Sequence, residues 1–369
     1  MTARFRMYFG NQAARPEQLE RVEEITVTQE MGRAWEARIR MALVLDEQGS
    51  WTGENEAIMT AFSQVRIEMK AHGGDFKPLI DGPIVGYDNQ KSSSPGQSAI
   101  VLIVQDDSVY LNQEDRVWRG DDQLDHELAT TVFNEFDDHI KSLDIEETPA
   151  SGSALPPSVN RRESAWNLLQ FLARRQDKHA YVLPGEVPGE SIGVFKELPE
   201  ETDGLPDLVL IGSGRNLDEF NVNRNAQSAS RVTASTMHLR DKAVVSASSQ
   251  PSDFEAEGVE VDTDHPQPTR FLTSTQGEGI DLEQAVRSAV RARSFSYEAT
   301  GSIRGHCYHG VLQPYRLVTV RSGGSSLSGS YLIHQVTHSV DRSQYTQSFE
   351  LKRIGQTPAS GSSASGSIF

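Results

Sequence analysis

The feature that most constrains this chain is a two-residue rhythm of apolar side chains. From Trp35 to Leu45, Trp35, Ala37, Ile39, Met41, Leu43 and Leu45 fall on one face and Glu36, Arg38 and Arg40 on the other. Period two is the signature of a half-buried strand. Val65, Ile67 and Met69 repeat the pattern, and it sets Gln64, Arg66 and Glu68 outward. PLIDGPIVGYD and SAIVLIVQDD then read as two strands punctuated by Gly, Pro and Ser, with Ile100 to Val104 apolar on both faces.

Helical periodicity appears between two such β regions. Leu124, Leu128, Val132, Phe136 and Ile140 recur every four residues, and Asp121 and Asp122 fall in the expected first turn. The segment TPASGSALPPS at 148–158 has linker composition. A second helix is expected with Asn160 as its cap, Glu163 as the capping-box partner, and a stripe of Trp166, Leu169 and Ala173 beside Leu168 and Leu172. DLVLIG at 207–212 reads as a strand. A third helix is expected at 281–294, with Asp281 as N-cap and Gln284 in the reciprocal position. RLVTVRS, SYLIHQVTHSV and YTQSFELKRI return to strand, and TPASGSSASGSIF is a low-complexity tail. No repeat of 20–50 residues is visible.

The expected fold class is α+β and β-dominated, with helical insertions. The expected divisions are a β domain at 1–118, a helical or mixed insertion at 119–200, a second β domain at 201–355 containing the third helix, and the tail at 356–369.

Composition narrows the function classes. Only 37% of residues are apolar and the net charge is −17. An acidic surface repels nucleic-acid phosphates and anionic lipid. The single cysteine, Cys307, cannot form an internal disulfide or a thiolate-rich zinc site, which points to folding in a reducing cytoplasm. The N-terminus lacks the apolar core of a signal peptide. The longest apolar run, Ala99 to Val104, is far short of the roughly 20 residues a membrane span needs. Residues 119–147 carry ten acids and two bases, whereas 287–353 carry nine bases and three acids. Two solvated faces are the simpler reading; complementary patches between subunits are the sharper one.

Tests for chemistry fail in turn. His306 and His309 flank Cys307, and His334 and His338 are four apart. On a strand, four residues span roughly 13 Å, too far for both to ligate one ion. No HExxH glutamate is present. These histidines read as partly buried structural groups. The acid pairs Asp106–Asp107 and Asp137–Asp138 read as surface charge. DLVLIGSGRNL has Gly212 and Gly214, but Leu217 stands where a dinucleotide loop needs a third glycine, and no Lys-Ser/Thr pair follows. Ser213 lacks the flanking glycines of a nucleophile elbow. No catalytic, cofactor-binding or metal-ligating residue is therefore nominated.

Three stretches in order resemble hub proteins of contractile tails: the phage late-control gene D protein, the tail hub of large myophages, and the hub region of type VI secretion spike proteins. They are residues 78–115, ESAWNLLQFLARRQDKHAYVLPGE at 163–186, and SLSGSYLIHQVTHSVDRSQYTQSFELKR at 326–353. The resemblance implies two tube-type, β-barrel-like domains per chain and a homotrimer. Three chains then present a pseudo-sixfold ring to the hexameric inner tube and threefold symmetry to a trimeric spike. It also implies a component of a phage tail or injection particle, with the inner tube protein, a separate spike protein and other baseplate subunits as partners. Ile368 and Phe369 are the expected assembly contacts, anchoring the tail on a neighbouring subunit. A tube-initiator or adaptor protein is the alternative within that machinery. A carbohydrate-binding or cell-wall-degrading baseplate component is the alternative from another class.

Overall fold

The structure, a computed structural model, describes residues 4–52, 60–94, 96–149, 158–228, 230–237, 242–254, 267–272, 282–323 and 326–355. The fold is α+β and β-dominated. Its frame is one sheet that joins the two β regions. From edge to edge the strands are Leu217–Arg224, Tyr297–Arg304, Tyr345–Arg353, Gly329–Asp341, Val22–Glu30, Glu36–Ala42, Ala99–Gln105, Phe76–Gln90, Gln64–Lys70, Arg4–Phe9 and Gln12–Ala13. The strand Leu317–Arg321 also pairs with Gly329–Asp341 and carries the short Leu208–Val209 beside it. The seam is the antiparallel pairing of Val22–Glu30 with the C-terminal half of Gly329–Asp341, where Val27 faces His338 and Ile25 faces Val340.

Alternation places the cores. Trp35, Ala37, Ile39, Met41 and Leu43 are buried as the period-two rhythm requires, together with Ile25, Val65, Ile67, Ile84 and Leu102. Leu45 departs from the rhythm. It pairs with Trp51 in a short hairpin and is exposed. A second core gathers Ala299, Ile303, Val318, Tyr331, Phe349 and Leu351. The Gly329–Asp341 strand serves both, giving Ile333 and Val336 to the second core and Val340 to the first.

The long strand Phe76–Gln90 turns the sheet. Its first half pairs with Gln64–Lys70 and its second half with Ala99–Gln105, with register shifts in both ladders. Gly82 permits the turn, because a Cβ there would lie 1.9 Å from the Gln105 carbonyl oxygen and 2.7 Å from the Asp106 Cα.

Between the β regions lies an inserted unit. Asp115–Asp121 pairs with Ser158–Ser164, while His179–Pro184, Ser191–Lys196 and Ile140–Ile145 form a small mixed sheet. Helices Asp125–Asn134 and Ala165–Arg175 pack over it through Leu128, Val132, Phe133, Leu168, Leu169 and Leu172. Both helices differ from their expected bounds. The four-residue repeat through Ile140 overran the first helix, which ends at Asn134, and Ile140 starts a strand. Asp121 ends a strand and Asp122 takes a left-handed φ of 58°, so the first turn carries Asp125 and Glu127, whose carboxylate accepts from Leu124 N. Asn160 is not a cap, because 158–164 is strand. Ser164 caps the second helix, its Oγ accepting from Asn167 N. The local capping signal lost to strand pairing with Asp115–Asp121.

The third helix spans Leu282–Arg291. It packs through Val286 and Val290 on Val232 and Ala234 of a separate small sheet made by Arg231–Met237, Val244–Ser249 and Thr269–Phe271. Asp281 lies outside the described residues. Gln284 donates to the Gln176 carbonyl of the inserted unit instead of closing a capping box. Residues 150–157 of the expected linker also lie outside the description. Among the described residues, no helix is long and apolar enough to cross a membrane.

The two glycines of the turning strand make a paired test. Gly82→Ala forces backbone against backbone and should lower unfolding stability by about 1–3 kcal/mol. Gly86→Ala, where a Cβ meets nothing within 4 Å, should change it by about 0.5 kcal/mol or less. Urea denaturation of the two variants measures the difference.

Candidate functional site

The sheet face expected to carry outward Gln64, Arg66 and Glu68 is instead covered. Arg66 is 2% exposed and Glu68 is also buried. The hairpin loop of the inserted unit, between His179–Pro184 and Ser191–Lys196, lies on this face. Arg66 donates from Nε to Glu68 at 2.9 Å and from Nη1 to Asp81 at 3.1 Å. It also reaches the loop carbonyls of Val187 at 3.3 Å and Glu186 at 3.2 Å. A period-two reading sees one strand at a time, and it cannot see a distant loop that covers the polar face.

The pair Asp106–Asp107 is likewise not surface charge. Both are buried in the turn that follows Ala99–Gln105. Asp106 accepts from Trp35 N at 2.7 Å, from Ser108 N at 3.0 Å and from the Ser108 hydroxyl. Burial pushes its carboxyl up to about 6 despite those bonds. Asp107 accepts from Gln64 Nε2 at 2.9 Å and from Ser191 Oγ of the inserted unit at 2.6 Å. Burial, with smaller contributions from neighbouring Asp81 and Asp106, pushes it up to about 7. The Gln64 amide also donates to Asp81 at 3.1 Å, and Gly189 N donates to Asp81 at 2.9 Å. These carboxylates hold fixed protein donors and have almost no exposure, so the arrangement is a joint between units rather than a cleft for a substrate. Asp137 and Asp138 are exposed.

The histidines separate into three environments. His338 is fully buried and joins three strands: its ring nitrogens lie 2.9 Å from the Tyr345 hydroxyl and 3.2 Å from Gln29 Oε1. Gln29 Nε2 donates to the Leu79 carbonyl at 2.6 Å, which fixes Oε1 as acceptor and sets the imidazole as a neutral Nε2–H tautomer. Burial holds its pKa down at about 3. His334 is half-buried on the same strand, 3.9 Å from Glu350, and burial lowers it to about 4. His306, Cys307 and His309 are exposed rather than partly buried. His309 Nδ1 sits 2.6 Å from the His72 carbonyl, with the two rings 5.1 Å apart. Among the described residues, no three His, Cys, Asp or Glu side chains are grouped to hold a metal. Gly212 and Gly214 take positive φ in a turn between Leu208–Val209 and Leu217–Arg224, which Asn216 closes by accepting from Val209 N and donating to the Asp207 carbonyl.

Surfaces suited to contacts with other chains lie elsewhere. Leu217–Arg224 ends the main sheet. On the small sheet, Phe271 pairs with Thr233 and Met237 with Val244, so all four side chains face away from the helix that buries Val232 and Ala234. Phe271 is 83% exposed, and Met237 and Val244 are exposed beside it. The alternation in RVTASTM is the sequence signal of this face. Ile368 and Phe369 lie outside the described residues.

Along nearly its whole length the chain has the fold of phage tail proteins. It superposes on a tail protein from Neisseria meningitidis with TM-score 0.67 and 14% identity, covering 97% of this chain and 99% of that one. The 43 kDa tail protein of prophage MuSo2 from Shewanella oneidensis also gives TM-score 0.67, with 13% identity and coverage of 96% and 99%. An Escherichia coli component of the type VI secretion system, described as structurally similar to bacteriophage T4 tail proteins gp27 and gp5, gives TM-score 0.54 with 10% identity and coverage of 97% and 80%. At these identities the likeness is one of fold. No family model and no curated protein matches the sequence.

His338 gives this site a pH signature. Its folded pKa lies below the ordinary 6.5, so the unfolded chain binds the extra proton, and the stability this group supports is lost as pH falls from 6.5 toward 3. His338→Gln should flatten the acid limb of a stability-versus-pH curve by one proton's slope, about 1.4 kcal/mol per pH unit. Denaturant titrations of both proteins between pH 4 and 7 check it.

Proposed function

We propose that this chain is a structural hub subunit of a phage tail or phage-tail-like injection particle. In this reading it acts by assembly and catalyses nothing. The observation that carries it is the end-to-end likeness to tail proteins, 97% of this chain against 99% of the Neisseria protein. The sheet supports the finer reading, since its two β regions sit on either side of one seam and supply two lobes per chain. As a homotrimer, the hub sets six such lobes against a hexameric inner tube and three copies against a trimeric spike, supplied by a separate protein. Other baseplate subunits complete its partners. Assembly takes place in the bacterial cytoplasm. The lobes correspond to residues 1–118 and 201–355, with 119–200 inserted between them. The tail at 356–369 anchors on a neighbouring subunit through Ile368 and Phe369.

Sedimentation equilibrium of the full chain, alone and with tube and spike proteins, tests the oligomer. The expected mass is three times the 40.8 kDa chain. A chain that stays monomeric under both conditions contradicts the proposal. Removing 356–369 should leave the fold intact and reduce incorporation into particles; undiminished incorporation rules out the tail anchor. Phe271→Asp should leave chain stability within about 0.5 kcal/mol, since the side chain is exposed, while weakening association if the small sheet is a contact surface. Thermal melting and the same sedimentation run separate the two effects.

A further inference from the structure

Two helices of the chain meet without filling the space between them. Helix Ala165–Arg175 buries Leu168, Leu169 and Leu172 in the inserted unit, and helix Leu282–Arg291 buries Val286 and Val290 against the small sheet. Ser288 Oγ and Gln284 Nε2 each donate at 3.4 Å to the Arg175 and Gln176 carbonyls, and Arg291 pairs with Asp177 at 3.0 Å, so the crossing is fixed. Ala285 and Ala289, four apart and therefore on one helix face, leave a groove of about 210 Å³ beside Phe171 and Leu272. Its rim is cationic, in a chain of net charge −17. Arg174 and Arg293 line it, both exposed, and neither forms an ion pair or a side-chain hydrogen bond among the described residues. The Arg161 and Arg175 guanidinium carbons lie 4.0 Å and 5.0 Å from the Phe171 ring centroid, so the aromatic wall is cationic as well. A small apolar floor under unpaired arginines fits a segment that carries carboxylates. The volume holds one or two side chains and excludes a whole helix, which is about 10 Å across.

The acid-rich stretch 119–147 supplies such a segment. Several of its acids are already committed: Asp125 to Arg175, Glu135 to Arg116, Asp144 to Lys196 and Glu146 to Lys178. Asp137 and Asp138, neighbours in the 135–139 turn, are exposed and form no ion pair among the described residues. This turn cannot reach the groove of its own chain. Asp125, at the start of helix Asp125–Asn134, bonds to Arg175, at the end of helix Ala165–Arg175, so the two helices run antiparallel. A helix of that length is about 15 Å long, which sets the 135–139 turn at the opposite end of the pair from Arg174. A groove at one end and its complement at the other is the arrangement of a head-to-tail contact between copies, which closes into a ring when the rotation allows it.

We propose that the groove between helices Ala165–Arg175 and Leu282–Arg291 is a docking site for the 135–139 turn of a second copy of this chain, with Asp137 and Asp138 meeting Arg174 and Arg293. The contact rests on the homotrimer of the proposed hub and gives it a head-to-tail interface. It also joins the two charge-rich stretches of the sequence, since the turn belongs to the acidic 119–147 and Arg293 to the basic 287–353.

Sedimentation of the full chain, alone and with the proposed tube and spike proteins, tests this with charge reversals. Arg174→Glu with Arg293→Glu should weaken self-association about tenfold or more, and so should Asp137→Arg with Asp138→Arg. All four substitutions in one chain set opposite charges across the contact again and should recover most of the lost affinity. Thermal melting should find each variant folded, because all four side chains are exposed. A trimer that either reversal leaves unchanged overturns this contact and spares the hub reading. Weakening by the groove reversal but not by the turn reversal assigns the groove to another occupant and overturns it equally. So does a folded fourfold variant that associates no better than the two pairs. A chain that stays monomeric under both conditions overturns the hub reading and this contact together.

Discussion

The structure depends on the pairing of Val22–Glu30 with Gln335–Asp341. About three hundred residues of chain separate these strands, so their meeting closes a very long loop. That cost grows only slowly with length, but it must be met before any contact across the seam forms. Once formed, the seam makes one sheet of two β regions. At its centre the buried His338 bonds to Gln29 of one region and Tyr345 of the other. Polar groups this deep stabilise only when satisfied, which makes the seam specific as well as strong. The shared Gly329–Asp341 strand then ties both cores to the same backbone.

One buried titratable group acts on the whole of this frame. His338 favours the folded state as pH rises, because its neutral form fits the seam. A fall in pH toward about 4 therefore strains the sheet that joins the two β regions.

Much of the frame was legible in the sequence. Trp35, Ala37, Ile39 and Met41 announced a half-buried strand, and the closing strands at 329–353 read correctly as strands, which placed His334 and His338 on β structure rather than on a helical metal motif. The illegible parts share a physical cause: distant segments. Arg66 and Asp107 look like surface charge until segments of the inserted unit more than eighty residues away meet them, the 186–187 carbonyls at Arg66 and Ser191 at Asp107. The Asn160–Glu163 capping signal is genuine locally, but strand pairing with Asp115–Asp121 outweighs it. The exposed face of Met237 and Phe271 depends on a parallel pairing with Thr269–Phe271, which no local pattern specifies.

A sheet that unites two β regions suits a subunit that must offer two lobes in fixed relation, and fixed relation is what a ring matching two symmetries requires. The most direct test of the proposed hub role is electron microscopy of the purified full-length chain with the proposed tube and spike proteins. The account predicts averages with three chains around a channel and six β lobes facing the tube. Averages showing one lobe per chain in the ring, or no closed ring at all, would contradict it.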